Sequence, residues 1–353
     1  MPKRSSSDSP KSASLRLIAE EVGVSRMTVS RAFKKEASIK PEVRERILEA
    51  ARRLGYEPDA MVSELMTSFA SRRPVNYKET FAAIWWPERW DEVDLGQGYH
   101  TNMYRGLNEG AKLHGRKFDH IVMTKDMAPN VINRILRARN IQGVILTPPI
   151  TANEKTPELD WENLSATIIG TALRHPNFHR AQASHYNVMV KALAMAHRHR
   201  YKRPCLLLHD DIDCRTNRAY TAAFMAWGHS RKYIWKANSH LSNGLPKWLN
   251  TVKPDVIIAD WEIWYEYLPE EYQNCGFITL SLRSNDSPIT GIYQNIANIA
   301  KCAVDLLVRS RIQHECGEPD DPVLMLTTGT WVHGTTLKLS GDPLIAEDHF
   351  ADL

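Results

Sequence analysis

The sequence predicts an α/β protein: a small three-helix head followed by a larger body built as two doubly wound, mostly parallel sheets. Three observations point there. Residues 15–54 hold short amphipathic helical stretches punctuated by Gly23 and Pro41. From Thr80 onward, short continuous apolar runs alternate with helical stretches, the pattern of strands buried on both faces. Charge is also unevenly spread. Residues 1–78 contain sixteen Lys and Arg against ten Asp and Glu, a balance of +6 within a chain of net +4, so the remainder is −2. A basic head on a mildly acidic body suggests a nucleic-acid end with a different task behind it.

Residues 1–13 (MPKRSSSDSPKSA) are rich in Ser and Lys and read as a disordered arm. The head follows over 14–57. Leu15, Ile18, Ala19 and Val22 form an apolar stripe at helical period, and Gly23 supplies the stop. Ser25 is placed to cap a second helix whose buried face is Val29, Ala32 and Phe33. Pro41 suits the first position of a third helix, which buries Val43, Ile47, Ala50, Ala51 and Leu54 and stops at Gly55. Helix, glycine turn, helix is the helix-turn-helix arrangement. The side chains left outside the second helix are Arg26, Met27, Ser30, Arg31, Lys34 and Lys35. Cations and short hydroxyls suit phosphates and base edges; an ordinary bundle with a solvated basic face is the plainer reading.

Asp59 to Phe69 is too short to be a stable free helix, and SRRPVNYK (71–78) reads as linker. In the body, the expected strands include TFAAIWW, FDHIVMT, GVILTP, ATIIGT, CLLLHD, DVIIAD, FITLSL and VLMLTTGT. Between them fall expected helices at Tyr99–Leu113, Asn130–Asn140, from His185 to about Arg200, Thr216–Trp227, Leu245–Val252, around Trp264, and from Asn295 to about Ile312. These are enough units for two lobes.

Several classes are disfavoured. The five cysteines are scattered, with no CxxC pair or zinc spacing, which fits a reducing compartment and no expected metal. No run reaches the ~20 apolar residues of a membrane span, and residues 1–14 do not read as a signal peptide, so a cytoplasmic location is expected. There is no P-loop, GxSxG or HExxH, so neither a cofactor nor an enzymatic activity is expected. His197 and His199 lie two apart on a helix and do not share a face.

IAEEVGVSRMTVSRAF, PEVRERILEAARRLGY and EPDAMVSEL together resemble the headpiece of the lactose/galactose repressor (LacI/GalR) family, in order and spacing, over some fifty residues. The resemblance implies a homodimeric transcriptional regulator, expected to be a repressor, that binds a near-palindromic double-stranded operator. It also implies that 58–78 hold a hinge helix and linker, with Leu65 at the position of the leucine that enters the minor groove. Asp59 and Val62 depart from the family's usual Asn and Ala. For 79–353 the resemblance implies a core like a periplasmic sugar-binding protein. Lobe one would comprise about 79–178 and 296–330, lobe two about 179–293, joined by three crossovers. A small effector, expected to be a sugar, would lie between them.

The DNA contacts expected are Arg26, Met27 and Arg31 for bases, with Ser25, Thr28, Ser30 and Lys34 gripping phosphate and Leu65 in the minor groove. Ligands of open α/β sheets bind beyond the carboxyl ends of the strands. That rule nominates Trp85, Trp86, Thr147, Asp210, Arg215, Arg218, Asp260, Trp261 and Gln294 for the effector. Carboxylates, amides and guanidinium groups suit hydroxyls, and aromatic faces suit sugar rings. Each Trp is equally a core residue and each Asp a helix cap on sequence alone, and the choice between Arg215 and Arg218 stays open. The rival reading is a sugar-binding module without regulatory output, which would not need the head.

Overall fold

The computed structural model describes residues 15–25, 28, 29, 32, 39–54, 79–87, 93, 98–124, 127, 128, 130–149, 154–237 and 244–338. The expected arm (1–13), hinge (58–78) and residues 339–353 lie outside these. The head and the body form separate compact units.

In the head, α1 is Leu15–Val22 and α2 is Pro41–Arg53, with helical backbone at Thr28, Val29 and Ala32 between them. Gly23 adopts φ 74°, and its N–H and that of Val24 both return to the Ala19 carbonyl, closing α1. Ile18, Ala19, Val22, Val29, Ala32, Ile47, Ala50 and Ala51 form one small core. Arg46 donates to the Val22 carbonyl at the end of α1, and Arg44 Nε donates to the Ala32 carbonyl at 3.1 Å. These α2 arginines therefore tie the ends of the preceding helical segments to the third.

The body contains two six-stranded sheets among the described residues. The first uses β1 (Glu79–Trp85), β2 (Arg116–Val122), β3 (Gly143–Leu146), β4 (Ser165–Ile169), β5 (His179–Ala183) and β11 (Leu324–Thr327). Their order is β11-β5-β4-β3-β1-β2, all parallel. The second uses β6 (Pro204–His209), β7 (Ile234–Ala237), β8 (Val256–Ala259), β9 (Gly276–Thr279), β10 (Gly291–Tyr293) and β12 (Thr330–Val332). Its order is β12-β10-β9-β8-β6-β7, with only β12 antiparallel.

The helices are α3 (Tyr99–Leu113), α4 (Asn130–Ala138), α5 (His185–Arg198), α6 (Asp210–Arg215), α7 (Ala219–Ala226), α8 (Leu245–Val252) and α9 (Ile296–Gln313). Alternation along each strand divides them between two faces. Phe81, Ala83 and Trp85 of β1 pack with α3 and α9, whereas Ala82 and Ile84, with Trp86 just beyond, pack with α4. In the second sheet, Leu206 and Leu208 face α5 and α7, whereas Cys205 and Leu207 face α8 and Trp264. Both sheets are thus covered on both sides, which is why their strands read as unbroken apolar runs.

The chain crosses between sheets three times: at Ser184 after β5, at Gln294–Asn295 after β10, and between β11 and β12. Two boundaries differ from the sequence reading. His179–Ala183, expected to open lobe two, pairs with β4 and β11 in the first sheet. Thr330 begins the antiparallel edge strand of the second sheet, although lobe one was expected to run to residue 330.

The helix expected over Thr216–Trp227 also starts late, at Ala219. Asn217 and Arg218 adopt left-handed backbone (φ 55° and 58°), and α6 forms instead over Asp210–Arg215. The cause is Asp213, fully buried, whose carboxylate takes Lys236 Nζ and, at 3.0 Å, the Thr221 hydroxyl, while its carbonyl takes the Arg218 N–H. Satisfying that buried charge turns the chain between the two helices.

Candidate functional site

All strands of the first sheet run parallel, and in the second sheet β6, β8, β9 and β10 do so too. Their carboxyl ends therefore gather the residues that follow each strand. Trp85 and Thr147 are fully buried and Trp86 nearly so. The Trp85 indole N–H donates to His120 Nδ1 at 3.0 Å, inside a nest with Tyr104 and Phe118. Burial holds His120 neutral, with its pKa lowered to about 4. Thr147 donates its hydroxyl to the Ile84 carbonyl at 2.9 Å, stitching β3 to β1. Trp85 and Thr147, expected to face the sugar, are thus spent on contacts inside the first sheet, and Trp86 is as buried as Gln294. A run of apolar residues ending in Trp-Trp cannot say where the core stops and a cleft begins.

Asp260 directly follows β8, and its side chain is fully buried. It accepts the His209 backbone N–H at 2.5 Å, the His209 ring at 3.0 Å and the Trp264 indole N–H at 2.8 Å. Trp261 is 39% exposed, with the Arg283 guanidinium 5.2 Å from its ring centroid and Glu262 bound to that arginine at 3.1 Å. Burial raises the Glu262 pKa, and Arg283 opposes the rise. Asp210 is half-buried at the start of α6.

The structure separates the two arginines. Arg215 is held by Asp211 at 2.8 Å, its Nη1 lies 3.5 Å from the Pro149 carbonyl, and its own carbonyl accepts the Thr171 hydroxyl. Pro149 and Thr171 follow β3 and β4 of the first sheet, so Arg215 spans the cleft between the sheets. Arg218 is exposed instead, 3.9 Å from Asp213.

Gln294 is buried at the second crossing and donates to the Tyr220 hydroxyl and the Leu280 carbonyl. Tyr220 also meets His185 Nδ1 at 3.1 Å. Burial pushes the Tyr220 phenol well up, and burial together with the Arg215 charge lowers His185 to about 4. His185, Tyr220 and His209 escaped the sequence reading. Only His209 carried a signal, as the last residue of an apolar run. An open groove of about 660 Å³, lined by Lys155, Trp161, Arg174, His175 and Glu318 among others, lies by the segments leading into β4 and β5 and is separate from these residues.

In the head, Ser25 Oγ accepts the Thr28 N–H at 3.0 Å, the expected cap, and Ser25 is exposed. Arg26, Met27, Ser30, Arg31, Lys34 and Leu65 lie outside the described residues.

Residues 14–59 match the family model of bacterial regulatory proteins, lacI family. The head of the chain is therefore a lacI-family DNA-binding module. The chain is 26% identical over 158 residues to catabolite control protein A of Staphylococcus epidermidis. That match covers 44% of this chain and 43% of the relative, so less than half of either is aligned.

Among solved structures, the transcriptional regulator CelR–cellobiose complex gives a TM-score of 0.56 at 15% identity, covering 92% of this chain and 99% of that one. The lac repressor dimer bound to operator and the anti-inducer ONPF gives 0.53 at 13% identity, covering 93% and 99%. At such identities these likenesses concern the fold. Among the described residues no helix is long and apolar enough to cross a membrane, and no cluster of His, Cys, Asp or Glu is arranged to hold a metal.

Proposed function

We propose that this chain is a sequence-specific DNA-binding transcriptional regulator of the LacI/GalR family, acting as a repressor in the cytoplasm and not as an enzyme. Its operator affinity is set by a small sugar effector held between the two sheets of its body. The observation that carries the reading is the union, in one chain, of a lacI-family head at 14–59 with a body of two parallel sheets joined by three crossings. The organisation that follows is a head over 14–57, a hinge and linker over 58–78, and an effector core beyond. A homodimer presents two heads to a near-palindromic double-stranded operator, because protein two-fold symmetry imposes DNA symmetry.

Arg26, Met27 and Arg31 read base edges, and Ser25, Thr28, Ser30 and Lys34 grip phosphate. Leu65 wedges into the minor groove. In the body, Asp210, Arg215, Trp261 and Gln294 stand at the cleft, and Asp260 acts through His209. The sugar class is supported by those polar and aromatic groups and by the cellobiose held by the CelR relative. A ligand shifts operator affinity only by binding the two lobe arrangements unequally.

The test selects DNA from a random pool with the full chain, then measures binding with and without a saccharide panel. A palindromic consensus whose affinity moves with one saccharide is expected. Equal affinity for selected and random DNA removes the regulator reading, and selected DNA indifferent to every saccharide removes the sugar reading.

A further inference from the structure

Leu280 and Gln294, which follow β9 and β10, form with Tyr220 of α7 and His185 at the start of α5 a hydrogen-bond chain whose direction is fixed. Gln294 Nε2 lies 2.7 Å from the Leu280 carbonyl oxygen and 3.0 Å from the Tyr220 hydroxyl. A carbonyl can only accept, so the Gln294 amide must point its nitrogen toward both groups. Tyr220 therefore receives a hydrogen from Gln294. Its own hydrogen must go to the neighbour on its other side, His185 Nδ1, at 3.1 Å. Nδ1 is thus an acceptor, which leaves the imidazole hydrogen on Nε2. Burial and the nearby Arg215 charge keep this ring neutral. Among the described residues no protein group takes His185 Nε2, and the atom is not sealed from solvent.

We propose that His185 is an effector-recognition residue whose Nε2–H, aimed by the Leu280–Gln294–Tyr220 chain, donates to an oxygen of the ligand beside Arg215. The proposal rests on the sugar-effector reading and narrows it. A fixed neutral donor next to a guanidinium accepts a hydroxyl, ring or glycosidic oxygen, or a carboxylate. It opposes an ammonium group, whose hydrogens would face hydrogens. His185 also opens α5 directly after the first crossing, and Gln294 sits on the second. A ligand oxygen at Nε2 thus engages two of the three connections between the sheets.

The test uses the full chain labelled with ¹⁵N-histidine and titrated with a panel of neutral mono- and disaccharides including glucose and cellobiose, alongside glucosamine. The free protein should show His185 in the Nε2–H form, and that resonance should move with whichever neutral saccharide binds. H185L should weaken that saccharide about tenfold or more, the size of a lost buried hydrogen bond. H185Q, which can accept from Tyr220 and still present an N–H, should stay within about threefold of the parent. An Nδ1–H tautomer, a His185 resonance unmoved by a bound saccharide, or unchanged affinity in H185L overturns the proposal alone. If H185L fails to fold, the tautomer and the shift in the parent chain decide. A panel with no binder overturns the sugar reading and this proposal with it.

Discussion

His209 and Asp260 clasp each other across β6 and β8: the imidazole Nδ1 sits 3.0 Å from one carboxylate oxygen while the His209 backbone N–H lies 2.5 Å from the other. The Trp264 indole adds a third donor at 2.8 Å. The carboxylate, fully buried, is therefore engaged by groups of its own lobe, and in the proposed site it acts through the histidine it orients. Removing it strands three donors. Each such loss costs about 1–3 kcal/mol, so D260A is expected to lower unfolding free energy by about 3–5 kcal/mol in a urea titration. A loss below about 1 kcal/mol shows that the clasp is not a structural joint.

Gly106 sets the approach of α3 to α9. A Cβ there would lie 2.3 Å from the Ala297 carbonyl oxygen and 2.7 Å from the Ala297 Cα, both backbone atoms that cannot rotate aside. G106A is expected to cost about 3 kcal/mol or more by forcing the helices apart. Since α9 follows the second crossing, the same variant should also blunt any saccharide effect on operator binding. A melting temperature equal to the parent's contradicts this packing account.

The body's strands were largely legible because burial on both faces leaves an apolar run. The run ATIIGT announces β4, for example, and DVIIAD announces β8. His179–Ala183 gave no such signal: HRAQA carries an arginine and a glutamine at its half-buried positions, yet it is an inner strand of the first sheet. The break at Asn217–Arg218 was also hidden, because it depends on Lys236 arriving from a distant strand to satisfy Asp213. For the site, strand-end placement nominated Asp260 and Gln294 but could not show that a histidine and a tyrosine from other segments engage them. Nor could composition tell that Trp85 turns inward to His120.

Acid should weaken the body in a defined window. His120 and His185 both titrate near 4 in the folded chain because burial disfavours their charged forms. Unfolded, they titrate near ~6.5. The unfolded state thus binds these protons first as pH falls. Their contribution is complete above pH ~6.5 and is lost as pH drops from there toward ~4, with a slope approaching ~1.4 kcal/mol per pH unit for each ring. Urea unfolding between pH 6.5 and 5, where ordinary carboxylates stay ionised, should show this decline. H120Q should remove one ring's share of it. Stability independent of pH across that range refutes the buried neutral assignment.

Two head substitutions should part ways. Ser25 Oγ holds the Thr28 N–H at 3.0 Å, so S25A is expected to cost the head about 1 kcal/mol and weaken all DNA sequences alike. R26A, at the following residue, is expected to relax preference at one base position by ~1–3 kcal/mol. Binding-site selection with both variants separates these outcomes. A uniform loss in R26A reassigns Arg26 to phosphate.

Arg215 and Arg218 are three residues apart but face different surroundings. Arg215 reaches the Pro149 carbonyl and accepts the Thr171 hydroxyl, both from the first sheet, while Asp211 steadies its guanidinium. Arg218, with left-handed backbone at φ 58°, is directed to solvent near Asp213. In the proposed site, a ligand entering between the sheets would meet the first and not the second. R215A is therefore expected to weaken the effective saccharide by about tenfold or more, the range for a hydrogen bond to a charged group. R218A should stay within about threefold, since an exposed ion pair contributes little. Because Arg215 also bridges the sheets without ligand, R215A should alter operator affinity in the absence of saccharide, which R218A should not. Equal effects of the two variants, in ligand titrations and on bare operator, would mean that the bridge through Arg215 does not govern the cleft.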